Sequence, residues 1–250
     1  MELSAGSRTD VGPRKMNQDH HGSWPELGLF VVADGMGGHN AGEVASHLAV
    51  ETIRSFIADS AQSGDITWPF GLETRHSIDV NRLLTAVRLA NRKIYSESTK
   101  SPQLSGMGTT VVAALLTGDK AILVGVGDSR IYRLRAGALE QLTSDDTWLA
   151  SVLGAQGAED ADPGHPLRHV LTSVVGTKDD LKPESREEVL QAGDTLLLCT
   201  DGIHGKLDPA ALKSLLSTRG SAADRATTLV NEAITRGTTD NATALVIAVS

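Results

Sequence analysis

The sequence predicts an α+β fold built on antiparallel β-sheets. Two observations carry this prediction. Short apolar runs follow one another through brief turns that contain Gly or Asp, which is typical of antiparallel strands. Segments with helical periodicity come in two pairs, and the regular alternation of strand and helix that builds a parallel sheet does not occur.

Six short runs of β-branched and aliphatic residues, bounded by Gly or Asp, predict buried strands. They cover residues 29–33, 110–116, 121–126, 131–134, 195–200 and 244–249. Gly118 and Asp119 separate the second run from the third at hairpin distance, and Gly127-Asp128-Ser129 separates the next pair in the same way. Residues 135–138 predict a further tight turn.

Four segments predict helices. Apolar residues recur at helical spacing over residues 41–57 and 80–95, and shorter candidates cover residues 210–216 and 222–235. Residues 60–79 are polar and interrupted by Gly and Pro, so we expect a loop there. Residues 156–169 are rich in Gly, Pro and Asp, and we expect them to be mobile. No repeat or linker divides the chain, so we expect residues 1–250 to form one domain.

The composition is that of an ordinary soluble globular protein, and it excludes several functions. The chain has 250 residues, with 23 Lys and Arg against 31 Asp and Glu, so its formal charge is −8. An acidic chain with 3% aromatic residues lacks the basic face and the stacking surfaces of a nucleic-acid-binding protein. Cys199 is the only cysteine, which excludes an internal disulfide framework. No apolar leader or membrane-length stretch occurs, so we expect a cytoplasmic protein that makes no membrane contact.

Four aspartates stand at the ends of the predicted strands. Asp34, Asp128 and Asp201 each follow an apolar run, and Asp240 comes shortly before the last run. Clustered carboxylates repel one another unless they are protonated or neutralised by cations, and oxygen ligands suit Mg²⁺, Mn²⁺ or Ca²⁺. Asp-Gly after a strand is also a common turn signal, so spacing alone does not show that the four residues converge.

Eight motifs occur in order along nearly the whole chain, from about residue 4 to residue 249. They are Arg14-Lys-Met-Asn-Gln-Asp19, Val32-Ala-Asp-Gly-Met-Gly-Gly-His39, Gly42-Glu-Val-Ala-Ser46, Gly106-Met-Gly-Thr-Thr110, Gly127-Asp-Ser-Arg130, Leu142-Thr-Ser-Asp-Asp-Thr147, Cys199-Thr-Asp-Gly202 and Thr239-Asp-Asn-Ala-Thr243. Each motif is weak by itself. Together they resemble the metal-dependent Ser/Thr protein phosphatases, the protein phosphatase 2C family, in its compact bacterial form.

This resemblance implies both a fold and an activity. The family's fold is a sandwich of two antiparallel β-sheets flanked by pairs of α-helices, with a variable flap at about residues 145–185 of this chain. The implied activity is hydrolysis of phosphoserine and phosphothreonine in proteins by in-line attack of a water or hydroxide that bridges two Mn²⁺ or Mg²⁺ ions. The implied partners are phosphorylated proteins and a cognate Ser/Thr kinase, and we expect a monomer.

The resemblance also assigns ligands to the two ions. The residue that matches Asp34 bridges both ions, and the carbonyl that matches Gly35 binds one of them. The residues that match Asp201 and Asp240 complete the pair, and the residue that matches Asp128 serves a third ion. Two ions supply a charge of +4 against about −3 from the three core carboxylates, so a phosphate dianion is attracted.

Further residues are implied to surround the metals. Asp19 matches an acid close to the ions, and Arg14 matches the arginine that holds the substrate phosphate, for which bidentate pairing suits a guanidinium. His39, beside the metal loop, and His165 are alternative proton donors to the leaving oxygen. Gln18 stands where the family often has Glu, which predicts weaker metal affinity.

Other classes of protein compete with this interpretation. Cys199 lacks the arginine six residues later that a cysteine-based phosphatase needs, since position 205 is Gly. The P-loop, the dinucleotide-binding fingerprint and the zincin motif are absent from the sequence. A non-catalytic family member that acts as a binding module is favoured only by Gln18. A small-molecule phosphomonoesterase with the same metals is the third possibility.

Overall fold

The computed structural model describes residues 2–38, 41–62, 67–160, 165, 167 and 170–250. The strands are β1 (Leu3–Asp10), β2 (Asp19–Trp24), β3 (Leu29–Met36), β4 (Gly108–Thr109), β5 (Val111–Thr117), β6 (Lys120–Val126), β7 (Arg130–Arg135), β8 (Ala138–Gln141), β9 (Ser185–Val189), β10 (Thr195–Cys199) and β11 (Ala242–Val249). The helices are α1 (Ala41–Gln62), α2 (Ile78–Lys100), α3 (Trp148–Asp160), α4 (Asp201–His204), α5 (Pro209–Leu216) and α6 (Ala222–Thr235).

The strands form two sheets in which the neighbouring strands are antiparallel. The first sheet has the order β1-β11-β10-β7-β8, so the first and last strands of the chain lie side by side. The second sheet has the order β2-β3-β5-β6-β9, and the short β4 pairs with the end of β3. The predicted antiparallel arrangement is therefore confirmed.

The core has three layers, because each sheet is covered on both faces. Phe30 and Val32 of β3 point to the layer between the sheets, while Leu29 and Val31 point to the layer beneath α1 and α2. A separate apolar layer packs α5 and α6 against the first sheet, with Leu229 at its centre. A strand buried on both faces must be apolar at every position, which explains its continuous apolar run. The molecule is thus a sandwich of two sheets flanked by helix pairs.

All four predicted helices are present, and the described residues contain two more, α3 and α4. Helix α6 covers the predicted residues and begins with a capping box between Ser221 and Asp224. Helices α1 and α2 are longer than predicted, so the loop expected at residues 60–79 is shorter, and residues 63–66 of it lie outside the described part. Helix α3 was not predicted. It overlaps the start of the segment expected to be mobile, and Gly154 interrupts its helical backbone with a φ of 74°.

The turn predictions are partly confirmed. Gly118-Asp119 joins β5 to β6, and Ala136-Gly137, with φ angles of 47° and 78°, joins β7 to β8. The prediction of a third hairpin at Gly127-Asp128-Ser129 is wrong, since β6 and β7 belong to different sheets. These three residues cross from one sheet to the other. The crossing places Asp128 at the end of the sandwich, between the sheets.

Among the residues that the structure describes, no helix is both long enough and apolar enough to cross a membrane.

Candidate active site

One end of the sandwich contains a cavity of about 370 Å³ that brings distant parts of the sequence together. The residues that line it are Arg14, Asp34, Met36, Thr110, Asp128, Leu171, Asp201, Thr239 and Asp240. All four aspartates predicted from the strand ends are among them, and so is Arg14. The convergence that spacing alone left open is thus present in the structure.

Each aspartate reaches the cavity from a different element. Asp34 lies in β3, and Asp128 lies in the crossing from β6 to β7. Asp201 begins α4 directly after β10, and Asp240 precedes β11. Two of these strands belong to each sheet, so the sandwich itself holds the carboxylates together.

Asp19 lies behind the cavity at the start of β2, directly opposite Asp34 on β3. Its carboxylate is buried, and its Oδ2 accepts hydrogen bonds from the hydroxyls of Thr200 at 3.0 Å and Thr243 at 2.6 Å. Its Oδ1 is buried without a hydrogen-bond partner among the described residues. A buried carboxylate oxygen without a partner is costly, so this oxygen is available to a cation or to a water bound to one.

The acidic side chains raise one another's pKa values. Burial raises the pKa of Asp19 to about 7, and the negative charges of Asp201 and Asp240 add to this effect. Burial also raises the pKa of Asp34, together with the charges of Asp19, Asp201, Asp128 and Asp240. The pKa of Asp128 is raised to about 7, first by burial and then by Asp201. Cations that neutralise the cluster would restore all of these carboxylates to their charged form.

The residues present fit hard divalent cations. Every side-chain donor of the cluster is an oxygen, which suits Mg²⁺ and Mn²⁺. Within the described residues, no three Asp, Glu, His or Cys side chains already surround one point as a closed metal shell. Ions bound here would therefore keep part of their shell as water or backbone oxygen, as Mg²⁺ commonly does.

Gly35 is required by close packing beside Asp34. A Cβ at this position would lie 1.9 Å from the carbonyl oxygen of Gly42 at the start of α1. The Gly35 amide donates to the carbonyl oxygen of Gln18 at 3.0 Å, and the Ser46 hydroxyl donates to the same carbonyl at 2.6 Å. The first three motifs of the sequence therefore meet at the Gln18 carbonyl, through the backbone of Gly35 and the side chain of Ser46.

Arg14 lies at the cavity but is paired with one of the acids. Its Nη2 donates to Oδ2 of Asp240 at 2.6 Å, and its Nε donates to the carbonyl oxygen of Thr239 at 2.8 Å. The Arg14 side chain is 54% exposed, so this pair contributes little stability and is open to exchange.

Sequence reasoning missed Asn241, which connects the first and last motifs. Its side chain is buried, and its Oδ1 accepts from the Gln18 amide at 2.8 Å. Its Nδ2 donates to the carbonyl oxygens of Val11 and Met16, both at 2.9 Å. The loop that carries Arg14 is thereby fixed to the start of β11. In the sequence the only signal is that an asparagine directly follows Asp240 in the last motif.

Asp146 is a second residue whose role was missed. Its Oδ2 accepts from the Gly127 amide at 3.0 Å, and its own amide donates to the Gly127 carbonyl at 2.8 Å. The neighbouring Asp145 forms a bidentate ion pair with Arg130, with distances of 2.7–3.2 Å. These two acids hold both sides of the crossing that contains Asp128.

Of the two predicted proton donors, the structure describes His165 but not His39. His39 lies outside the described residues. His165 is described, and its Nδ1 accepts from the Leu167 amide at 3.2 Å, but it is not among the described residues that line the cavity. The donor role therefore stays a prediction at His39.

A two-sheet sandwich flanked by helix pairs, with a cluster of aspartates and an arginine together at one end, is the arrangement of the divalent-metal-dependent phosphatases. Residues 12–236 match the family model of protein phosphatase 2C, and the chain belongs to this family.

Relatives and solved structures agree with this assignment over nearly the whole chain. The chain is 31% identical to the serine/threonine phosphatase stp of Listeria monocytogenes, over 98% of this chain and 95% of that protein. It is 34% identical to the serine/threonine protein phosphatase PstP of Mycobacterium tuberculosis, over 98% of this chain and 44% of that longer protein. The crystal structure of the PstP catalytic domain in complex with two manganese ions superposes with a TM-score of 0.82 at 32% identity, and it covers 99% of both chains.

Proposed function

We propose that this protein is a Mg²⁺/Mn²⁺-dependent protein serine/threonine phosphatase that hydrolyses phosphoserine and phosphothreonine in proteins and opposes a Ser/Thr kinase. One observation carries the proposal: Arg14 and four aspartates from separate elements line one cavity at the end of the sandwich. Membership of the protein phosphatase 2C family and the relatives' names support the same activity.

Asp34, Asp201 and Asp240, with the carbonyl oxygen of Gly35, would hold two ions. Asp128, which lines the same cavity from the crossing between β6 and β7, would serve a third. When bound, the ions supply positive charge to the substrate phosphate and lower the pKa of water. Asp19 supports the cluster from behind, because Thr200 and Thr243 fix its orientation. Gln18 would leave one acid fewer beside the ions than the family often has.

Arg14 would orient the substrate. A phosphoserine carries a charge of about −1.5 to −2 near neutral pH, and its oxygens match the guanidinium fork. When cations neutralise the charge of Asp240, the guanidinium of Arg14 is attracted less to this carboxylate and can pair with the substrate phosphate instead. Asn241 keeps Arg14 close to the cavity through its bonds to the backbone of the same loop. The exposed side chain of Met36 lies at the cavity mouth, where a substrate segment would pass.

We also infer that residues 1–250 act as one catalytic domain and as a monomer. The three apolar layers share strands of the same two sheets, which supports one folding unit. The variable flap at about residues 145–185 includes α3 and Leu171, a residue of the cavity wall. We infer that this segment contributes to the choice of substrate.

The test compares three substrates with and without metal. Purified protein is incubated with a phosphothreonine peptide, p-nitrophenyl phosphate or a sugar phosphate, in Mn²⁺ and in EDTA. The proposal predicts Mn²⁺-dependent turnover in which the phosphopeptide is preferred to the sugar phosphate. Preference for the sugar phosphate would favour a small-molecule phosphomonoesterase, and no turnover by folded protein in Mn²⁺ or Mg²⁺ would favour a non-catalytic binding module.

A further inference from the structure

Two histidines from different elements meet on the surface beside the first metal motif. His20 lies in β2, and His47 lies in α1. Nε2 of His20 and Nδ1 of His47 are 3.3 Å apart, the ring centroids are 4.7 Å apart, and the rings stand at 78° to each other. The proposed phosphatase mechanism uses neither ring.

The separation of these two nitrogens matches that of two ligands on one ion. Two imidazole nitrogens that share a tetrahedral Zn²⁺ at about 2.0–2.1 Å lie about 3.3–3.4 Å apart. Without a metal ion, one ring donates a hydrogen bond to the other across this gap. Strand β2 and helix α1 therefore hold the two rings at a spacing that also suits a metal ion in place of that proton.

Helix α1 adds carboxylates to the same face. Glu43 and Glu51 lie four residues before and four residues after His47, so all three side chains emerge on one side of the helix. Glu51 is engaged by Arg54, which donates to its Oε2 from Nε at 3.1 Å and from Nη2 at 2.9 Å. Glu43 is exposed and can reach towards the pair by rotation of its side chain. A pair of ligands four residues apart on a helix is a common way to bind a metal.

We propose that His20 and His47, completed by Glu43, form a second metal site that binds a borderline transition-metal ion such as Zn²⁺, Ni²⁺ or Cu²⁺. It differs from the aspartate cluster in chemistry, because imidazole nitrogens favour these ions and carboxylates favour Mg²⁺ and Mn²⁺. The imidazoles of His20 and His47 already stand at ligand spacing. The carboxylate of Glu43, one helical turn before His47, supplies the third ligand. An ion bound here clamps α1 to β2, directly beside Asp19.

The test uses the full-length protein with excess Mg²⁺, which occupies the carboxylate cluster. Zn²⁺ is titrated by calorimetry, and Cu²⁺ is added at one equivalent for electron paramagnetic resonance, in which nitrogen ligands split the signal. The variants are His20→Ala, His47→Ala and Glu43→Gln. His76→Ala is the matched control, since His76 is another histidine near a carboxylate, 3.7 Å from Glu73, in the loop before α2.

The proposal predicts one site with two nitrogen ligands in the native protein. His47→Ala and His20→Ala should each remove one nitrogen from the signal and weaken Zn²⁺ binding by about 10- to 100-fold or more. Glu43→Gln should weaken binding with both nitrogens retained, and His76→Ala should change nothing. Zn²⁺ binding and a Cu²⁺ signal that are unchanged in His20→Ala and His47→Ala would overturn the proposal.

The result is independent of the proposed phosphatase activity. His47 is exposed and does not line the cavity, so His47→Ala should fold and retain Mg²⁺-dependent phosphatase turnover. If His20→Ala does not fold, His20→Gln replaces it, because the glutamine fills part of the space without acting as an imidazole ligand. Native protein that hydrolyses phosphopeptide but binds Zn²⁺ no better than His47→Ala would contradict the second site alone.

Discussion

Asp19 and Asp34 lie directly opposite each other on the antiparallel strands β2 and β3. Like charges in facing positions of a sheet destabilise it, and here burial strengthens the repulsion. Burial is the largest cause of the raised pKa of both residues; the charge of Asp19 adds to the shift at Asp34, and the charges of Asp201 and Asp240 add to the shift at Asp19. The cluster at this end of the sandwich therefore lowers the stability of the metal-free protein, and bound cations would remove that cost.

The stability of the metal-free protein should depend on pH. The pKa of Asp19 and that of Asp128 rise from 3.8 to about 7 on folding. A carboxyl group with a raised folded-state pKa stabilises the fold below the unfolded-state pKa, and this contribution is lost as the pH rises through the folded-state value. In EDTA the free energy of unfolding should thus fall between pH 4 and pH 7 by an amount on the order of a few kcal/mol. Urea unfolding at several pH values measures it, and a stability that rises with pH over this range would contradict the account.

Asp34→Asn should stabilise the metal-free protein near pH 7.5 while it removes the stabilisation by Mn²⁺. The substitution deletes a charge that repels Asp19, and it also deletes a metal ligand. Thermal unfolding in EDTA and in Mn²⁺ measures both effects. Asp119→Asn is the control, because Asp119 is exposed in the turn between β5 and β6. An Asp34→Asn protein that is less stable than the native protein in EDTA would argue against charge repulsion.

Thr243→Val tests how Asp19 is held in place. Valine has nearly the shape of threonine but cannot donate the 2.6 Å hydrogen bond to Oδ2 of Asp19. A hydrogen bond to a charged group contributes about 1.5–3 kcal/mol, so the Mn²⁺-loaded protein should lose about that much stability and should bind Mn²⁺ more weakly. Thr227→Val, on the exposed face of α6, should stay within about 0.5 kcal/mol of the native protein. Equal losses in both variants would show that the hydroxyl of Thr243 has no special role.

Arg14→Ala should mainly raise KM. If Arg14 pairs with the phosphate, its removal should raise KM for a phosphopeptide by about 10- to 100-fold, with a smaller effect on kcat. Arg14→Lys should recover only part of this loss, because lysine lacks the bidentate fork. Arg8→Ala is the control, since Arg8 is about as exposed and also contacts an aspartate, Asp10 at 3.4 Å. A fall in kcat with an unchanged KM would contradict a role for Arg14 in phosphate binding.

We expect Asp146 to affect turnover indirectly, by fixing the position of Asp128. Asp146→Ala removes the acceptor of the Gly127 amide, whereas Asp146→Asn keeps an oxygen in the same place. We expect Asp146→Ala to lower kcat by about tenfold and to raise the Mn²⁺ concentration for half-maximal turnover, with Asp146→Asn close to native. Asp128→Asn should slow turnover while the two core ions stay bound. If Asp146→Asn is as impaired as Asp146→Ala, the charge matters and the hydrogen bond does not.

The six strands that the sequence predicted are central ones, and the strands that it missed, apart from the two-residue β4, are at the edges. β1 and β8 are the edges of the first sheet, and β2 and β9 are the edges of the second. An edge strand exposes one side to solvent, so its sequence, such as Asp19–Trp24, contains polar residues at most positions. Only pairing with the neighbouring strand makes it a strand. The apolar run of residues 29–33, buried on both faces, needs no such context.

The candidate site also contains residues that the sequence could predict and contacts that it could not. Asp34, Asp128 and Asp201 could be predicted because each stands where an apolar strand ends. The hydrogen bonds that hold the site join residues far apart in the chain, such as Thr243 with Asp19 and Asn241 with Gln18. No local pattern encodes those pairs, because they depend on how the two sheets meet. The error at Gly127-Asp128-Ser129 has the same origin, since a short connection looks alike within one sheet and between two.

The most direct test of the account is a Mn²⁺ titration of phosphothreonine-peptide hydrolysis by the native protein and by Asp34→Asn. If the aspartate cluster is the catalytic centre, turnover should rise with Mn²⁺, disappear in EDTA and fall at least about 100-fold in Asp34→Asn, even at saturating Mn²⁺. Turnover that persists in EDTA, or that is equal in the two proteins at high Mn²⁺, would show that the aspartate cluster is not the centre at which the phosphate ester is hydrolysed.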